Sequence, residues 1–228
     1  MKILIINPNS SVDMTNTIDG AAKKYAQPGT EITTVMTPDG PEFLADAYDC
    51  AIQVPKVLDI VEKNKDNYDY FIIACGYDPG LDACRTITKN VIGIGEAAIM
   101  TACAVAKRFS FLNSTPGSTA AVPERLRAIG VDPSKCASAR PIGTDHGMVD
   151  NRHEHFEEYV KLGKKLIEDG AGAIIPTCAG MSDLKEALEQ RLGVPVIPGV
   201  VAAVKMAEQF WAVASARAER EVSLSGRK

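Results

Sequence analysis

The chain has 228 residues, 46% of them apolar and 24% charged, and a formal net charge of −4. That length supports a sizeable core in one domain or two compact lobes, and the slight acidity argues against a nucleic-acid partner. No apolar run approaches the ~18 residues of a membrane span, and "MKILIINPNSS" is too short and wrongly flanked for a signal peptide, so a cytoplasmic protein is expected.

"KILIIN" is β-branched and unbroken, the pattern of a strand buried on both faces, and it ends in a turn, "NPNSS". A helix near Met14–Ala26, a short strand in "TEITTVMTPDG" and a helix over Ala45–Lys63 follow. "YDYFIIACG" is the next buried strand, ending in Cys75 and opening into glycine, with Leu81 starting a short helix. "NVIGIGEAAIMTACAVAK" then combines a strand, a small-residue turn and an alanine-rich helix.

From Arg108 the order starts again. "RFSFLNSTPGST" repeats the strand and polar turn, and a helix is expected over Ala120–Ile129. "CASARPIGTDHG" gives a strand and loop, His153–Glu168 a helix, and "GAGAIIPTCAG" a strand ending at Cys178. Leu184 follows Cys178 by six residues, as Leu81 follows Cys75, and "PVIPGVVAAVKMAEQFW" matches the strand–turn–helix beginning at Asn90. One offset, slightly above a hundred residues, aligns all four landmarks, which indicates duplication.

Strands alternating with helices imply parallel sheets wrapped by helices. The expected fold is therefore α/β, with two pseudo-symmetric doubly wound lobes, each a mostly parallel four-stranded sheet flanked by helices. Residues 1–98 form the first lobe, completed by a C-terminal helix over 200–222; residues 99–199 form the second, and 223–228 a flexible tail. Ligands of open parallel sheets bind beyond the carboxyl ends of the strands. The turns "NPNSS", "CGYDPG", "NSTPGST" and "TCAGMS" all lie at that edge, so they should meet across an interlobe cleft. Asn9, Ser10, Gly76, Ser114, Thr115, Ala179 and Gly180 are the expected substrate contacts, while Asp78 is expected to shape a turn and Glu96 to favour a helix start.

Six cysteines in a chain without an export signal should be free thiols. Cys50, Cys84, Cys103 and Cys136 read as small buried hydrophobes. His146, His153 and His155 lack a partner set of metal-ligand spacing and read as a solvated loop and helix start. No lysine lies in the four turns to hold pyridoxal phosphate, so neither cofactor nor metal is expected. That leaves Cys75 and Cys178, one on each wall of the cleft. Each precedes small residues and a helix start, whose N–H groups and dipole would lower the thiol pKa from ~8.5. A single activated cysteine would suggest acyl transfer. A symmetric pair suggests that one thiolate removes a proton from carbon while the opposite thiol delivers one to the other face.

"INPNSS", "ACGYDPGLDA", "VIGIGEAA", "CAGM" and "LGVPVIPGVVAAVKMAE" resemble the hydantoin/allantoin racemase branch of the aspartate/glutamate racemase superfamily, over Met1 to about Trp211. Thr177 stands where that pattern has glycine before the second cysteine. The resemblance implies a cofactor-independent isomerase with catalytic Cys75 and Cys178, acting on 5-monosubstituted hydantoins or allantoin as a homo-oligomer. Two rivals remain: another superfamily reaction (amino-acid racemase, decarboxylase or isomerase), and a non-catalytic small-molecule binding protein.

Overall fold

The structure is a computed structural model that describes residues 1–144 and 146–225, with side chains through residue 214. The first sheet holds β1 (Lys2–Asn7), β2 (Glu31–Met36), β3 (Tyr70–Ile73) and β4 (Val91–Gly93), all parallel in the order β2-β1-β3-β4. The second holds β5 (Phe109–Asn113), β6 (Cys136–Pro141) and β7 (Ile174–Pro176), parallel in the order β6-β5-β7. Among the described residues ten α-helices connect or cover them: α1 (Val12–Tyr25), α2 (Ala47–Asn64), α3 (Leu81–Ile87), α4 (Ile94–Val105), α5 (Pro116–Ala120), α6 (Val122–Ala128), α7 (Gly147–Asp150), α8 (Phe156–Glu168), α9 (Lys185–Leu192) and α10 (Gly199–Ser225). The tail expected over 223–228 overlaps the end of α10, and residues 226–228 lie outside the described residues.

The unbroken apolar strands are divided between two faces by the period of two. Ile3 and Ile5 of β1, with Phe109 and Phe111 of β5, enter one central core that also takes Ile94, Val200, Ala203 and Val204. Leu4 and Ile6 point the other way, onto Val57 and Val61 of α2, and Leu112 packs with Tyr159 and Leu166 of α8. Both sheets thus share a central layer, and each has its own outer helix. No helix among the described residues is long and apolar enough to cross a membrane.

The second sheet departs from the expected four strands. Its fourth member is reduced to an isolated bridge, Ile174 to Val196. The Ile174 N–H donates to the Pro195 carbonyl and the Ile197 N–H to the Ile174 carbonyl, each at 2.9 Å, and there the ladder stops. Pro195 and Pro198 flank this segment, and neither has an N–H with which to extend it.

Candidate active site

The duplication is legible bond by bond. Ala74 N–H extends the sheet by donating to the Ile6 carbonyl at 2.8 Å, and Thr177 N–H does the same to Leu112 at 3.0 Å. The next residues are Cys75 and Cys178. Each cysteine carbonyl then accepts from the third residue on, Asp78 at 2.9 Å and Met181 at 3.0 Å. Two equivalent turns therefore deliver two thiols to the carboxyl edges of two sheets.

One narrow cavity receives both. Its lining includes Cys75 and Cys178 together with Asn9, Gly76, Ser114 and Ala179, all singled out from the sequence. Ser10, Thr115 and Gly180 are not among its lining residues. Ser10 Oγ donates to the Gly40 carbonyl at 2.7 Å, and Thr115 caps α5 in a reciprocal box with Ser118. Gly180 lines a neighbouring cavity with Ser10, Glu42, His146 and Asp150. Small polar residues at a turn have two possible employers, ligand and backbone; here the backbone takes these hydroxyls.

Tyr77, from the turn after Cys75, lines the narrow cavity too, and helices and neighbouring loops supply what the four turns do not: Met14, Phe43, Leu44 and Arg125 complete much of the wall. Asn113 also lines it, with its Nδ2 donating to Thr119 Oγ1 at 3.0 Å and its buried Oδ1 unpaired among the described residues. Asp78 does shape the turn, at φ 50°, and also caps α4 by accepting from the Gly95 and Glu96 N–H groups at 2.8 and 2.7 Å. Burial raises its pKa to about 6 against the lowering effects of Arg125 and those two N–H donors.

His146 corrects the reading of the histidines. Only 12% of its side chain is exposed, because the Phe43 ring stacks on it with centroids 3.7 Å apart. Its Nε2 lies 3.7 Å from Cys178 Sγ and its Nδ1 3.0 Å from Asp150 Oδ1. His153, by contrast, is exposed and pairs with Asp183. Among the described residues no cluster of three or more His, Cys, Asp or Glu side chains is arranged to hold a metal ion.

The expected lowering of both cysteine pKa values also needs correction. Gly180 N–H does stabilise a Cys178 thiolate, but burial outweighs it and pushes the thiol up to about 11. Cys50 and Cys75 shift each other's proton affinity, so Cys50 is more than a core hydrophobe. Their interaction favours one shared negative charge, lowering Cys50 and, with burial, holding Cys75 well above the ordinary range. The two walls are alike in backbone and unlike in proton chemistry.

The profile of the Asp/Glu/Hydantoin racemase family matches residues 3–207. The chain is 37% identical to a hydantoin racemase of Pseudomonas sp. (strain NS671) over 214 residues, spanning 91% of this chain and 85% of that one. A hydantoin racemase of Paenarthrobacter aurescens is 33% identical over 217 residues, spanning 93% and 92%. Among solved structures, allantoin racemase from Klebsiella pneumoniae superposes with a TM-score of 0.89 at 37% identity, covering 94% of this chain and 89% of that one. With its two parallel sheets and a cysteine at the end of a strand in each, the chain belongs to the Asp/Glu/hydantoin racemase family and is an isomerase of the racemase type.

Proposed function

We propose that the chain racemises 5-monosubstituted hydantoins or allantoin, without a cofactor, by two-base proton transfer between Cys75 and Cys178. The observation that carries this reading is a single cavity lined by both thiols, one from each sheet. One cysteine, as thiolate, takes the proton from C5, and the C–H electron pair delocalises into the adjacent ring carbonyl. The opposite cysteine, as thiol, gives its proton to the other face of C5 and is left as the thiolate. The lobes, residues 1–98 with the C-terminal helix and residues 99–199, each contribute one base. We place the enzyme in the cytoplasm as a homo-oligomer.

Hydroxyls, amides and backbone N–H groups suit a neutral cyclic imide. The unpaired Asn113 Oδ1 supports this, because a buried acceptor needs a donor such as a ring N–H. Free aspartate or glutamate fits poorly. Arg125 offers one cation, but no carboxylate is among the lining residues to pair with an α-ammonium.

Enantiopure hydantoins, allantoin, aspartate and glutamate, followed by polarimetry in heavy water with and without EDTA, test the reading. A hydantoin or allantoin should lose rotation while gaining deuterium at C5, unaffected by EDTA, with the amino acids nearly inert. Binding without deuterium uptake would mark a non-catalytic protein, and comparable kcat/KM on free glutamate would refute this view of the cavity.

The pH dependence has a definite sign. A thiol titrating at about 11 is neutral at pH 7, ready to donate, and becomes a base only as pH rises. In the direction that uses Cys178 as base, kcat/KM should climb by about tenfold per pH unit above neutrality. Initial rates for each enantiomer, corrected for uncatalysed exchange, check this. A fall in both directions between pH 7 and 9 would contradict it.

A further inference from the structure

Arg125 lies on α6, outside all four strand-end turns in the sequence, yet it lines the same cavity as the cysteines. Only 22% of its side chain is exposed. Its seat is built from both sides of the Cys75 turn. The guanidinium carbon lies 5.8 Å from the Tyr77 ring centroid, over its face, and Nη2 lies 3.6 Å from Asp78 Oδ2. Gly95 leaves the space this requires: a Cβ there would come within 2.0 Å of Arg125 Nη2 and 2.5 Å of the Gly76 carbonyl oxygen.

Asp78 holds the guanidinium in place without using its donors. Both carboxylate oxygens already accept α4 N–H groups at 2.8 and 2.7 Å, whereas 3.6 Å to Arg125 is an ion-pair separation, too long for a hydrogen bond. The fork of N–H groups is thus oriented, half-desolvated and still able to donate. Its charge is largely balanced by Asp78, so it suits an uncharged oxygen acceptor better than a second carboxylate.

We propose that Arg125 sets substrate preference by donating to an uncharged oxygen acceptor, such as a ureido carbonyl, on the ring's 5-substituent. This deepens the racemase reading above and rests on it. A site built to hydrogen-bond a substrate group rejects analogues that lack it, because its own buried donors are then left unpaired. An alkyl substituent leaves the guanidinium in that position.

The test compares racemisation of three hydantoins, carrying ureido, carboxymethyl and isobutyl substituents, by the full chain and its Arg125→Gln and Arg125→Lys variants. The readout is a ratio of kcat/KM values, which a purely structural role would not move. The ureido-to-isobutyl ratio should fall about 30-fold in Arg125→Gln and about tenfold in Arg125→Lys, which keeps the counter-charge for Asp78 but loses the planar fork. The carboxymethyl-to-isobutyl ratio should fall less. If Arg125→Gln does not fold, the lysine variant decides alone. An unchanged ureido-to-isobutyl ratio, or a fall confined to the carboxymethyl substrate, would overturn the proposal. A wild-type chain that racemises none of the three would instead overturn the racemase reading beneath it.

Discussion

Replacing either Cys75 or Cys178 by alanine is expected to lower kcat/KM for racemisation by roughly a thousandfold or more, the scale of losing a positioned acid or base at the reacting carbon. In the two-base mechanism proposed above, each turnover needs a base on one face and a proton donor on the other, so neither cysteine should substitute for its partner. Serine fails as well, because its hydroxyl is far less acidic than a thiol and supplies almost no base near neutral pH. The two alanine variants differ in what they keep. Each retains one cysteine, and with it slow exchange of the C5 proton of one enantiomer; the preferred enantiomer is opposite in the two. Deuterium uptake measured separately on each pure enantiomer reads this directly. A single-cysteine variant that racemises both enantiomers at near wild-type rate would end the two-base mechanism. Cys50→Ala gives a useful contrast. It removes the neighbour that raises the Cys75 pKa and not a proton-transfer group, so racemisation should survive with an altered pH profile.

The cysteine pair was readable in the sequence because each member ends an apolar, β-branched run. A buried strand announces itself by composition, its carboxyl end follows, and duplication marks the residue standing there twice. Asn9, Gly76, Ser114 and Ala179 were readable for the same reason, since each is tied to a strand end. Arg125, Phe43 and Met14 were not. Their entry into the cavity depends on how a helix or loop lies over the sheet edge, and no local pattern encodes that. His146 reads as solvated in the sequence because nothing near it discloses that Phe43, about a hundred residues earlier, covers it. Cys50 looked like filler for a related reason: α2 meets the Cys75 turn only in the folded chain. The missing fourth strand was the exception, since Pro195 and Pro198 were visible signs that the ladder would stop.

Gly76→Ala is expected to cost about 100-fold in kcat, although no functional atom is removed. A Cβ on Gly76 would lie 2.3 Å from the Thr177 carbonyl oxygen and 3.3 Å from its carbon, inside any tolerable contact. These residues adjoin Cys75 and Cys178 in the chain, so the turns of the two walls touch backbone to backbone at this point. The contact lies one residue from each thiol. The obstructing oxygen is main chain, not the far end of a flexible side chain, so relief of the clash needs a shift of one of the two turns. A methyl group therefore moves one turn by several tenths of an ångström or more, and misplacement of about 1 Å at a reacting centre costs on the order of 100-fold. Gly20→Ala is the control. It lies on the exposed face of α1 with nothing within 4 Å of an added Cβ, and alanine is the better helix former there. Kinetics and thermal melting of both variants separate misplacement from unfolding. The expected pattern is a Gly76→Ala protein that remains folded at the assay temperature, with kcat depressed far more than KM is raised. A Gly76→Ala enzyme within fivefold of wild type would mean that the walls are not held apart by this contact.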